Sequence, residues 1–229
     1  VSSLLQKLID EYRGNSKLFL ILCGSSMSFM ENQVLAYKSP LYGRRTSQLK
    51  INPFNYLDTA KFVENYSYKE KAIVYGLTGG IAEYLTFFDD NVELKTNVIN
   101  NFLKTGGRLF EEPTNLLKQE LRQPKTYNDI LFAIAGGASK LNEIATKLNM
   151  QTGGLTHYIN SLVELGIVAK KTPVLDRKNK RPIYVIKDTM FRFWYYFVQK
   201  NMNLINMELG EMVYNKQVEA RLNDYMGSV

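Results

Sequence analysis

Apolar residues recur along this chain with two periods, and the period changes mark its elements. Leu4, Leu5, Leu8 and Ile9 fall three to four residues apart among Lys7, Asp10, Glu11 and Arg13, which predicts an amphipathic helix already under way at the first residue. Leu18 to Cys23 is a continuous apolar run between polar flanks, the pattern of a buried strand, and it ends in Gly24-Ser25-Ser26. A tight turn follows at Pro40-Leu41-Tyr42-Gly43-Arg44-Arg45-Thr46. From Pro53 to Gln123 the pattern is mostly helical, broken at Gly76, Gly79-Gly80 and Gly106-Gly107.

Beyond Tyr127 the order becomes helix, helix, turn, helix, strand, strand. Ile130, Leu131, Ile134 and Ala135 mark the first helix, closed by Gly136-Gly137. Ser139 is placed to cap a second, whose face carries Leu141, Ile144, Ala145 and Leu148 before Asn149 stops it. Thr152 is placed to cap a third, with Leu155, Ile159, Leu162, Val163 and Leu165 facing inward and Gly166 ending it. Ile167–Ala169 and Ile183–Ile186 read as short antiparallel strands around a basic loop. Three helices and a hairpin in this order predict a winged helix-turn-helix. After it, Lys187 to Asn201 sets Phe191, Phe193, Trp194, Tyr195, Tyr196 and Phe197 on one helix, a packing seam by density, and Glu211 to Met226 reads as a final amphipathic helix.

Charge sharpens this picture in one place. The chain has 229 residues and a formal charge of +7. Gly166 to Lys187 alone holds Lys170, Lys171, Arg177, Lys178, Lys180, Arg181 and Lys187 against Asp176, a net +6. The excess belongs to the hairpin. In a DNA-binding winged helix the third helix enters the major groove and the wing approaches the backbone. The exposed face of that helix would offer Gln151, Thr152, Thr156, His157, Asn160 and Ser161, which hydrogen-bond but carry no fixed charge. The wing supplies cations suited to phosphates. A solvated lysine-rich hairpin accounts for the same residues, and winged helices also serve as interaction modules.

Composition closes several routes. One cysteine and one histidine leave no Cys/His zinc set and make a Ser-His-Asp or Cys-His triad improbable. No apolar run approaches the roughly 20 residues of a membrane helix, so the expected location is cytoplasmic with no membrane partner. No G-x-x-x-x-G-K-[ST] occurs in the sequence. Leu8-Ile9-Asp10-Glu11 imitates an apolar strand ending in a magnesium-binding acid pair, but its polar flanks fit a solvated helix better. Arg44 and Arg45 suit bidentate phosphate contacts, and equally an internal role against carbonyls or carboxylates.

Taken in order, "LFLILCGSS" (Leu18 to Ser26), "SPLYGRRT" (Ser39 to Thr46), "LTGGIAEYL" (Leu77 to Leu85), the winged helix and "YVIKDTMFRFWYYF" resemble the archaeal-type ATPases, P-loop proteins of the AAA+/STAND kind. The resemblance implies an α+β, mostly α chain in four parts: residues 1–54 as a remnant of the ATPase core with its sensor strand, 55–124 as a helical lid, 125–188 as the winged helix, and 189–229 as C-terminal helices. It implies Ser25 or Ser26 as the polar sensor, Arg44 and Arg45 as the arginines of a "YGR" element near nucleotide phosphates, and Gly79-Gly80 as the lid's Gly-Gly motif. Ala82 stands where that motif usually has proline. The nucleotide loop and the magnesium-binding strand would lie upstream of Val1, and a nuclease-like domain downstream, so the chain reads as a piece of a longer protein. ATP and Mg would then belong to the intact parent, with no catalytic residue, metal ligand or bound cofactor expected in this chain. Lid and winged helix would couple nucleotide state to double-stranded DNA or to a partner. The expected DNA contacts are Thr152, Thr156, Asn160, Lys170, Lys171, Arg177, Lys178, Lys180 and Arg181. The aromatic helix would dock a protein partner or the nuclease-like domain. Read from the residues alone, a self-standing winged-helix DNA-binding protein or an interaction module also fits.

Overall fold

The structure is a computed structural model and describes residues 2–14, 16–24, 30, 34–172 and 182–227. It divides into two units, Val1–Asn52 and Pro53–Val229.

In the first unit, helix α1 (Ser2–Tyr12) forms where the helical period predicts it, yet it buries none of its residues. The apolar run at 18–23 departs from expectation. It takes up no ladder, and Phe19 and Ile21 stand 85% and 71% exposed. The physical reason is that a strand needs a neighbour to satisfy its amides and carbonyls. The only strands among the described residues lie in the other unit. Pro40 to Arg44 makes the expected turn, with Gly43 at φ 74° and Leu41 buried.

Among the described residues, the regular elements of the second unit are helices apart from one strand pair. It opens with α2 (Tyr56–Thr59), α3 (Tyr68–Thr78), α4 (Ala82–Leu85), α5 (Leu94–Phe102) and α6 (Glu112–Glu120). Helix α3 starts on a Ser67/Glu70 capping box and ends on Gly79 in the left-handed region at φ 62°. Gly80 continues at φ 75°, and a Cβ there would meet the Phe54 carbonyl at 2.0 Å. Phe54 donates its amide to the Gly80 carbonyl at 2.8 Å. The Gly-Gly pair thus closes a helix and lets one backbone lie against another, which only glycine permits here.

Then come α7 (Pro124–Ala135), α8 (Leu141–Leu148) and α9 (Thr152–Glu164), followed by β1 (Val168–Lys171) and β2 (Ile183–Ile186). The strands pair antiparallel with Val168 opposite Ile186 and Lys171 opposite Ile183. The Tyr184 amide donates to the Ser139 carbonyl at 2.7 Å, which fixes β2 beside the start of α8. Ile130, Ile144, Leu155, Ile159 and Leu162 are fully buried at the centre of this group. Asn149 is left-handed at φ 51° and Gly166 at φ 75°, as their stop positions require.

Two expected caps shift by a residue. The Glu143 carboxylate turns back to accept from the amides of Ser139 at 2.9 Å and Lys140 at 3.0 Å. Lys140, not Ser139, precedes α8, and the Ser139 hydroxyl donates to the same carboxylate at 3.5 Å. Gln151, not Thr152, precedes α9, and Thr152 is its first residue.

The chain ends in two irregular helices. The first runs from α10 (Thr189–Phe193) through a π turn at Trp194–Val198 and a 3-10 turn at Gln199–Asn201 into α11 (Met202–Asn206). The second repeats the order: α12 (Gly210–Val213), a π turn at Tyr214–Val218, a 3-10 turn at Glu219–Arg221, and α13 (Leu222–Met226). Phe191, Phe193, Trp194, Tyr195 and Phe197 are all buried. Trp194 donates its indole N–H to the Phe110 carbonyl at 2.6 Å, and Tyr195 its hydroxyl to Asn128 at 2.8 Å. The aromatic helix is therefore a seam inside the chain. Of its six rings only Tyr196 is partly exposed.

Candidate functional site

The two faces of helix α9 differ in kind. Leu155, Ile159 and Leu162 anchor it at zero exposure, while Thr152, Thr156, His157 and Asn160 stand exposed. Thr152, Thr156 and Asn160 follow one another at i, i+4 and i+8, so they line one stripe. The Thr156 hydroxyl donates to the Thr152 carbonyl at 3.0 Å, which commits its proton and leaves its lone pairs for an incoming donor. A Cβ at Gly153 or Gly154 would meet nothing within 4 Å, so the first turn is open to close approach. Glu164, the single carboxylate of this helix, sits at its far end.

The strands add positive charge beside the helix. Lys170 and Lys171 are exposed, whereas Val168, Tyr184 and Ile186 are buried. Apolar residues hold the pair to the helices, and the lysines at the end of β1 project into solvent. Arg177, Lys178, Lys180 and Arg181 lie outside the described residues. On α8, the Lys140 and Ser139 amides hold the Glu143 carboxyl from 4.5 down to about 2. It is 3.2 Å from the Lys140 ammonium.

The residues expected near a nucleotide are placed differently. Ser25 and Ser26 lie outside the described residues. Arg44 spends its guanidinium internally: Nε and Nη2 reach the Asp10 carboxylate at 2.7 and 2.8 Å, and Nη1 donates to the Pro40 carbonyl at 3.0 Å. This fork holds the Asp10 carboxyl below its ordinary range. Arg45 is exposed. Gly79 and Gly80 close the turn after α3 in the other unit. Among the described residues no group of three or more His, Cys, Asp or Glu could hold a metal ion. Asp10 thus fills the Arg44 fork in the first unit, and Gly80 lies against the Phe54 backbone in the second. Among the described residues no helix is long and apolar enough to cross a membrane.

Comparison with known proteins gives a class for the front of the chain. Residues 1–88 match the family model of an ATPase domain predominantly from Archaea. The match supports an archaeal-type ATPase family. The full chain also aligns with a protein of Methanocaldococcus jannaschii described as uncharacterized, at 34% identity over 234 residues. That alignment covers 100% of this chain and 51% of the relative, so the chain spans about half the relative's length. No solved structure matches it.

Proposed function

We propose that this chain is the lid and winged-helix part of an archaeal-type ATPase of the AAA+/STAND kind, and that its winged helix binds the backbone of double-stranded DNA. On this reading residues 1–54 belong to the ATPase core and 55–124 form the lid. Residues 125–188 are the winged helix, whose position follows the nucleotide state of the intact protein. The observation that carries the DNA reading is the pairing of two surfaces. One is the charge-free polar stripe Thr152–Thr156–Asn160 on a helix anchored from behind; the other is the exposed pair Lys170–Lys171 on the adjoining strand. Lysines give affinity through counterion release and little discrimination, and the stripe supplies the groups that can read base edges. The ATPase reading draws on the family match over residues 1–88. It also draws on the exposed apolar surface of the first unit, where Leu4, Phe19 and Ile21 are 72%, 85% and 71% exposed, as residues of a larger core would be.

The test is a fluorescence-anisotropy titration of a labelled duplex with the chain and with Lys170→Glu/Lys171→Glu. The double reversal should weaken binding by about tenfold or more at low salt. Equal affinity for the two proteins would remove the strand from the interface.

A further inference from the structure

The last helix reaches back across the second unit and ties two elements together. Tyr225, on α13, is buried. Its hydroxyl lies 3.0 Å from the Gly76 carbonyl, in the final turn of α3, and 2.7 Å from the Thr189 carbonyl, at the start of α10. The ring is held by its neighbours. The Phe193 and Phe197 ring centres are each 5.8 Å from its own, and the Arg192 guanidinium carbon lies 5.0 Å from it.

Both ends of this tie continue into further elements. Gly76 carries one of the carbonyls that a helix end leaves without an amide, because Gly79 bonds back to Tyr75 at 2.9 Å. A Cβ at Gly79 would stand 3.2 Å from the Thr189 hydroxyl oxygen, so the Gly79-Gly80 turn borders the start of α10. On the far side, the Lys187 and Asp188 amides, just before Thr189, donate to the Ile167 carbonyl at 2.8 and 3.2 Å. Ile167 is the corner between α9 and β1, and its own amide donates to Leu162 on α9 at 3.0 Å. A continuous path thus runs from the Gly-Gly turn to the end of the helix that carries the polar stripe.

Two observations single out its centre. A hydroxyl has one proton, so the Gly76 and Thr189 carbonyls compete for that of Tyr225. The Thr189 hydroxyl oxygen is buried and makes no hydrogen bond among the described residues, so the junction lacks a full set of bonds as it stands.

We propose that Tyr225 is a conformational latch: its hydroxyl couples the Gly79-Gly80 turn to the corner between α9 and β1, and its hydrogen bond passes between the Thr189 and Gly76 carbonyls as the turn moves. Two arrangements of one packed element are what coupling between distant sites requires. That the two ends are lid and winged helix rests on the function proposed above.

The test is amide hydrogen exchange on the full chain, read residue by residue, in wild type, Tyr225→Phe, Gly79→Asn and Tyr66→Phe. Phenylalanine keeps the Tyr225 ring and removes the proton. Asparagine tolerates the left-handed φ of 62° at position 79 and sets a Cβ against Thr189. Tyr66→Phe is the control, since it removes a comparably buried hydroxyl that also faces two carbonyls, those of Asp89 and Val92. Tyr225→Phe and Gly79→Asn should each speed exchange at the Ile167, Lys187 and Asp188 amides by about fivefold or more relative to the amides of α5, the weight of one net hydrogen bond. Tyr66→Phe should not. Gly79→Asn leaves Tyr225 in place and reads the same path if Tyr225→Phe does not fold. The latch is overturned if the three amides are unchanged, if acceleration is spread evenly over the unit, or if the control reproduces it. Duplex binding is measured in parallel. A chain that binds no duplex but shows the local acceleration keeps the latch and loses the DNA reading; one that binds duplex without that acceleration keeps the DNA reading and loses the latch.

Discussion

Glu143 shows how one side chain sets a local structure and its pH response. Its carboxylate holds the amides of Ser139 and Lys140, and its pKa drops from 4.5 to about 2. A depressed carboxyl contributes stability above its ordinary pKa, and that contribution is lost as pH falls toward the folded value. Glu143→Gln should therefore lower the thermal midpoint at neutral pH, with the gap to wild type closing between about pH 4.5 and pH 2. A gap independent of pH would mean that the charge contributes nothing. Gly80 makes the steric counterpart. A Cβ would fall 2.0 Å from the Phe54 carbonyl at φ 75°. Gly80→Ala should destabilise the second unit by about 2 kcal/mol or more, read by denaturant unfolding. Arg44 shows the limit of reading residues singly. Two adjacent arginines suggest a phosphate clamp, yet Asp10, on another element, takes up the fork of the first.

At the scale of elements, the short helix α4 explains how the chain does without the proline of the resembling motif. Ala82 is the first residue of α4, exposed, and Ile81 before it is extended at φ −73° and ψ 120°. Those are the conditions proline needs at the start of a helix. Ala82→Pro should be accommodated and raise stability by about 0.4–1 kcal/mol through the unfolded chain. A loss of stability would show that the turn is not shaped for it. Helices α7, α8 and α9 and their strand pair were legible in sequence because their period is local and Asn149 and Gly166 supply backbone stops that few residues can. The apolar run at 18–23 was not, because a strand is defined by a neighbour that its own residues do not contain. The shifted caps fall in the same class: a hydroxyl is visible in sequence, but the residue at which the helix begins is a matter of backbone geometry.

On the scale of the molecule, the net charge resolves into local surfaces, and the two units carry different kinds of information. Residues 1–88, the first unit and the start of the second, match an archaeal ATPase domain model; the first unit leaves apolar side chains exposed, and the second packs a buried core around its aromatic seam. The sequence holds no G-x-x-x-x-G-K-[ST]. Calorimetric titration of this chain with ATP and Mg should accordingly give no binding tighter than about millimolar, the amide cradle of a phosphate loop being what tight binding requires. A well-defined tighter isotherm would refute the assignment of nucleotide binding to the intact parent. The most direct measurement of the central claim is the affinity of the unmodified chain for a duplex across a salt series. A surface neutralising about four phosphates should lose affinity roughly a hundredfold between about 50 and about 200 mM salt. Absence of duplex binding at the lowest salt, or binding indifferent to salt, would contradict it.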